Sequence, residues 1–254
     1  MKMLTSKLND ANQIVFMDFE GTQLTQEIIA IGAIKADLDN KKQIKKLYKP
    51  FKVYVISEGV VGPFVENLTG ITDLYLFQYG LNFEAAIERF KTYVGKDLNF
   101  TSFMTFGNYD MRLLHETALL NNLEEDDFVN KIYKKNVDFN YIFSRFVRSE
   151  KNEQLSLADA CKLFNLEIKG SLHDPEYDAI NLAYLYDAFL KEKTIVREEY
   201  IKVMRKNPHL PTPLQKTFNK LITKGSVTYD EFVNMIDEEI KWSAFHSKLM
   251  KKVK

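Results

Sequence analysis

Apolar positions gather first into two short runs, Ile14–Phe19 and Glu27–Ala36, rich in β-branched and aromatic side chains. Runs of this length and make-up predict strands. The connection between them, Gly21–Gln26, is short enough for an antiparallel hairpin. Lys45–Ile56 alternates, with Leu47, Phe51, Val53 and Val55 on one parity, and predicts a third strand. Pro50 cannot donate to a ladder, so it puts this strand at an edge or in a bulge. Helical spacing follows over Phe83–Val94 and Met111–Leu120, with a fourth strand, Ser102–Phe106, between them and a break at Gly107-Asn108. Val137–Phe139 is a short fifth strand that leads into an amphipathic Tyr141–Val147. Ser156 with Asp159 three residues on reads as a capping box for a helix over Ser156–Phe164. Asp174-Pro175 starts another helix, whose apolar stripe is Ala179, Leu182, Ala183, Tyr186, Phe189 and Leu190.

Beyond Lys191 strand candidates stop. Pro208, Pro211 and Pro213 mark a loop, and Leu214–Ile222 and Asp230–Ile240 have helical spacing. Residues 191–254 therefore read as a helical C-terminal extension of a domain over 1–190. Three antiparallel strands followed by strand–helix alternation predict an α/β fold, a mixed five-stranded sheet flanked by helices.

Charge alters this picture little. Lysine and arginine total 35 and so do aspartate and glutamate, so no global basic field marks a nucleic-acid binder. Affinity for phosphate has to come from local patches or bound metal. Lys41, Lys42, Lys45, Lys46, Lys49 and Lys52 form one patch, read either as the solvated face of an edge strand or as a surface that tracks a nucleic-acid backbone. The tail lysines Lys248, Lys251, Lys252 and Lys254 carry the same two readings. The single cysteine, Cys161, excludes a disulfide framework and sits in an apolar run as core filler. There is no stretch of ~18 apolar residues and no signal-like apolar segment within Met1–Asn12, so a cytoplasmic protein without membrane contact is expected.

Three acidic motifs carry the candidate chemistry. Asp18 and Glu20 lie two apart on the first strand and project to one side. Carboxylates held so close repel unless neutralised, and a divalent cation is the natural neutraliser; two surface acids at a strand end are the plain alternative. Asp110 follows the fourth strand and opens a helix, where the macrodipole alone favours an acid. His173 precedes, and Asp178 occupies, the first turns of the helix begun at Pro175, where a solvated loop histidine and a surface acid are the ordinary reading.

Taken together the motifs resemble the DEDDh branch of the DEDD exonuclease superfamily, which has a ribonuclease-H-like fold. That family carries Asp-x-Glu on its first strand, matched by Asp18 and Glu20. An Asp after its fourth strand is matched by Asp110, and a closing His-x-x-x-x-Asp by His173 and Asp178. Glu27–Ala33 looks like the family's second strand, Leu68–Thr72 like the segment between third strand and first helix, and Ser156–Ala160 with Gly170 like the approach to the histidine. The resemblance covers roughly residues 12–190 and is greatest to the branch of 3′ exoribonucleases acting on histone-message ends and small RNAs. Many relatives have Thr directly after Glu, whereas Gly21 intervenes before Thr22 in this chain.

The resemblance implies a metal-dependent 3′→5′ exonuclease. Asp18, Glu20, Asp110 and Asp178 would hold two ions, Mg²⁺ or Mn²⁺, because hard cations prefer oxygen donors. His173 would be the general base, with Glu20 counted beside it among the catalytic groups. Phe19, Gly21 and Thr22 would contact the terminal nucleotide, with Asn108 as a further substrate-binding candidate. Phe64, Phe106 and Tyr109 are candidates for base stacking, worth roughly 1–3 kcal/mol per base, although such side chains more often belong to the core. The expected partner is a nucleic acid with a single-stranded 3′ end, RNA ahead of DNA, and the C-terminal helices would suit a protein partner or a second copy. A DNA exonuclease and a non-catalytic nucleic-acid-binding module are the competing readings.

Overall fold

The computed structural model describes residues 2–207 and 209–250, with side chains for 3–207 and 209–240. Pro208 and the tail at Lys251, Lys252 and Lys254 lie outside the described residues, as does the side chain of Lys248. A short helix α1 (Lys2–Lys7) leads into strands β1 (Gln13–Gly21), β2 (Ile28–Leu38), β3 (Ile44–Leu47) and β4 (Phe51–Tyr54). Helices α2 (Pro63–Thr69), α3 (Asp73–Tyr79) and α4 (Phe83–Val94) precede β5 (Thr101–Thr105), α5 (Tyr109–Leu120), α6 (Asp127–Lys135) and β6 (Asn136–Asp138). The rest is helical: α7 (Phe139–Phe143), α8 (Leu157–Leu163), α9 (Pro175–Lys191), α10 (Lys193–Arg205), α11 (Thr212–Lys224) and α12 (Tyr229–Met250).

The strands form a mixed sheet in the order β3-β2-β1-β5-β6, with β4 also paired to β2. The hairpin β1–β2 is antiparallel, whereas β5 runs parallel to both β1 and β6. Among the described residues the sheet has six strands rather than the expected five, because Lys45–Ile56 splits in two. β3 pairs with Ala36–Leu38 of β2, and β4 with Ala30–Ala33. Pro50 has no N–H to continue the ladder. The hydroxyl of Tyr93 fills the gap, accepting from Lys35 N at 2.8 Å and donating to the Lys49 carbonyl at 2.9 Å. Helices α1, α2, α3 and α6 go beyond the predicted elements. α6 is capped by Asp126, whose carboxylate accepts from Phe128 N and Val129 N.

Alternation along β1 divides the core between the two faces of the sheet. Ile14 and Phe16 face α9, α7 and α8, where Leu182, Tyr186, Phe189, Phe139 and Phe143 are buried with them. Val15, Met17 and Phe19 face α4, α5 and α6, packed against Phe83, Phe90, Leu114 and Phe128. Cys161 is buried in the first of these layers.

The chain divides into two compact units, Met1–Val196 and Arg197–Lys254. The division falls within α10, after Val196, which is buried in the first unit's core. In the second unit α11 packs on α12, with Lys216 paired to Glu238 at 3.1 Å and Lys220 to Glu231. Among the described residues, no helix is long and apolar enough to cross a membrane.

Candidate active site

Asp18 and Glu20 share the parity of Ile14 and Phe16, so the end of β1 turns its carboxylates toward the face that α9 covers. The N-terminus of α9 reaches that face because Gly32, the register partner of Asp18 on β2, has no side chain. A Cβ at Gly32 would lie 2.0 Å from the carbonyl carbon of Pro175. Asp174 caps α9 by accepting from Glu176 N, and Pro175 takes a first-turn position where its missing N–H costs nothing. Asp178, one turn in, is thereby brought over the acidic end of β1.

Asp110 arrives from the other side, in the first turn of α5. It is only 6% exposed, and its carboxylate accepts from Phe19 N at 2.9 Å, tying α5 to the residue between Asp18 and Glu20. His173 precedes α9 with its backbone N–H donating to Asp178 Oδ2 at 2.9 Å. Ligand atoms of Glu20, His173 and Asp178 lie within 4.8 Å of one another.

The carboxylates are held above their usual range. Burial pushes Glu20 up to about 8, reinforced by Asp178 and Asp110. Burial likewise raises Asp110 to about 7, although the N–H groups of Phe19 and of Asp110 itself act the other way. Asp18 is raised well above the ordinary carboxylate range by burial and then by Asp110, Glu20 and Asp178. Asp178 is raised chiefly by burial, opposed by the His173 N–H. Mutual repulsion among partly desolvated acids stores affinity for a cation.

All five of these residues line one cleft of about 420 Å³, together with Phe19, Gly21, Phe64, Val65, Leu68, Phe106, Tyr109 and Leu157. Two sequence candidates fall outside it. Thr22 is fully buried; its hydroxyl accepts from Glu27 N at 3.0 Å and lies 2.7 Å from that of Thr25, so it closes the β1–β2 hairpin. A bulge at Glu20/Gly21 breaks the parity that would have grouped Thr22 with Asp18 and Glu20. Asn108 lines a different cavity, with Tyr133, Asn136 and Asp138. Phe106 packs against Phe139 and Phe143, whereas Phe64 and Tyr109 are exposed at the cleft. The lysine run disperses: Lys42 donates to the carbonyls of Asn9 and Ala11, Lys46 lies on the Tyr48 ring, and Lys52 pairs with Asp174 at 2.7 Å. Sequence spacing gave no sign of the Lys52–Asp174 pair, which joins segments 122 residues apart.

Residues 15–186 match the RNase_T family model, described as an exonuclease. No curated protein matches the sequence significantly. Among solved structures, the nuclease domain of 3'hExo, a DEDDh family member bound to rAMP, is similar at 20% identity with a TM-score of 0.58, over 72% of this chain and 93% of that one. Cell-death related nuclease 4 is similar at 18% identity and a TM-score of 0.58, over 72% and 65%. The E. coli ExoI–ssDNA complex is similar at 15% identity and a TM-score of 0.58, over 81% of this chain but 44% of that one. At these identities the likeness is one of fold.

Proposed function

Because this chain belongs to the RNase_T exonuclease family, we propose that it is a metal-dependent 3′→5′ exonuclease that shortens single-stranded RNA and releases nucleoside 5′-monophosphates. The observation that carries this reading is the convergence of Asp18, Glu20, Asp110, His173 and Asp178 on one cleft. The donor set fits divalent cations: four carboxylates, each raised by burial or by its neighbours, with oxygen donors of the kind Mg²⁺ and Mn²⁺ prefer. When bound, such ions supply the positive charge that receives the scissile phosphate and acidifies the attacking water.

The protein's own groups divide the remaining work. His173 accepts the proton of the attacking water. Its backbone N–H is tied to Asp178, and a ring nitrogen lies at the cleft within 4.8 Å of carboxylate oxygens of Glu20 and Asp178. Phe19 is held by Asp110, which fixes the strand end against which the terminal nucleotide lies. Phe64 and Tyr109, 64% and 48% exposed, can offer ring faces to bases, whereas Phe106, half-buried at the cleft wall, packs on Phe139 and Phe143. The likeness to 3'hExo bound to rAMP favours RNA, and the likeness to the ExoI–ssDNA complex makes DNA the alternative polymer.

The test is a 5′-labelled single-stranded RNA and its DNA equivalent, each incubated with Mg²⁺ with and without a chelator. A ladder shortening from the 3′ end on RNA, abolished by chelator and by Asp178→Ala, is expected. Cutting confined to DNA overturns the choice of polymer. Binding without cutting of either makes the protein a nucleic-acid clamp, and full activity of Asp178→Ala would sink the site assignment.

A further inference from the structure

One row across the sheet contains Asp18 on β1, Gly32 on β2 and Lys52 on β4. Glycine leaves the middle of the row bare, and the backbone of Pro175 lies upon it. From the far end of the row Lys52 reaches Asp174 Oδ2 at 2.7 Å, with the two side chains 20% and 25% exposed. Asp174 uses its other oxygen to accept from Glu176 N at 3.1 Å. The residue before it, His173, has a left-handed φ of 62°. A non-glycine side chain keeps such a backbone only where its surroundings over-determine it. Two contacts flank that position: the His173 N–H on Asp178, and the Lys52–Asp174 pair one residue later.

We propose that Lys52 is a positioning residue for the general base: by gripping Asp174 it holds the His173 loop over the carboxylates. The proposal rests on the exonuclease reading above. Lys52 lines not the carboxylate cleft but a smaller adjoining cavity that shares His173 with it, together with Asp174, Pro175, Gly70 and Tyr75. It therefore acts through Asp174 rather than on the substrate. An exposed ion pair would be too weak for this task. This one is half-buried, and its ammonium lies 5.2 Å from the centre of the Tyr54 ring, which meets Tyr75 edge-on at 4.8 Å. Packing as well as charge fixes the cation. A histidine displaced by an ångström from its water loses rate while substrate still binds, because proximity and orientation govern the chemical step.

The test compares Lys52→Met, Lys52→Arg, Asp174→Asn and the double variant Lys52→Met/Asp174→Asn. Lys52→Met should lower kcat roughly 10- to 100-fold with KM within about threefold of wild type. Lys52→Arg should recover most of the loss, and the double variant should be no worse than Lys52→Met alone. Hydrogen exchange of the peptide spanning 172–177, measured without substrate, should quicken in Lys52→Met and Asp174→Asn. A raised KM with unchanged kcat would make Lys52 a substrate contact and overturn the proposal, as would unchanged exchange. Should wild type fail to cut any polymer, the exonuclease reading fails, while the exchange comparison still decides whether the clamp exists. If Lys52→Met does not fold, Asp174→Asn against Lys52→Arg decides the matter by the same readouts.

Discussion

On one face of strand β1 lie Ile14 and Phe16 in its first half and Asp18 and Glu20 in its second, under one continuous helix, α9. In the first half both side chains are fully buried, and Phe16 packs on Tyr186 with ring centres 5.3 Å apart. In the second half the same helix, through its first turns, closes over carboxylates instead of rings. Burial stabilises the fold in one half and strains it in the other, because removing apolar surface from water is favourable and removing charge is not. A single strand and a single helix thus supply both the anchor and the proposed reactive end, which Asp110 of α5 completes, and the anchor holds the acids together against their repulsion.

The largest effect expected from breaking this contrast is on catalysis. Asp18→Asn removes one anionic donor without changing shape, and should lower cleavage by roughly 1,000-fold or more, about 4 kcal/mol of transition-state stabilisation. In the presence of chelator the same variant should melt no lower than wild type, since the buried charge is gone. Phe16→Ala does the reverse. It empties a fully buried site and should cost about 3–5 kcal/mol of stability. Denaturant unfolding without metal tests the pair: equal destabilisation by both variants would erase the distinction between the two halves.

A pH effect of intermediate size sharpens the same comparison. An acid whose pKa is higher in the folded than in the unfolded chain stabilises the fold fully while protonated, below its unfolded value. That stability is lost as pH rises through the folded value. For Glu20 the window runs from 4.5 to about 8, and for Asp110 from 3.8 to about 7. Metal-free protein should therefore melt at lower temperature at pH 8 than at pH 5, and Mg²⁺ should reverse most of the loss. Glu20→Gln should flatten the slope; a slope unchanged in that variant would place the stored repulsion elsewhere.

Much of this architecture was legible in the chain. The apolar runs marked β1, β2 and β5, the spacing marked α4, α5 and α9, and Asp174-Pro175 marked where α9 begins. The acidic set was legible only through its resemblance to the DEDDh pattern, because strand parity and helix starts alone left each carboxylate with an ordinary reading. What was not legible depends on distant partners. The split of the third strand needed Tyr93, from α4, to fill the break at Pro50. The seating of α9 needed Gly32 beneath Pro175, and the grip on the His173 loop needed Lys52. Each joins segments far apart in sequence, and periodicity reports only neighbours.

Thr22 provides the smallest effect and the finest division between the halves. It follows the acidic pair by simple parity, yet the bulge at Glu20/Gly21 turns it inward, where it receives the Glu27 N–H and its backbone N–H donates to the Glu27 carbonyl at 2.8 Å. Its duty is to fix the hairpin that aligns β1 with β2, which is the work of the apolar half. Thr22→Val keeps the shape but leaves a buried N–H without an acceptor, and should cost about 1–3 kcal/mol of stability. The KM for a single-stranded substrate should move by less than about twofold, and Thr22→Ser, which keeps the hydroxyl, should recover the stability. A hydroxyl that touched the terminal sugar would give the opposite pattern, a raised KM at unchanged stability, and the boundary between anchor and reactive end would then lie beyond Thr22 rather than at the bulge.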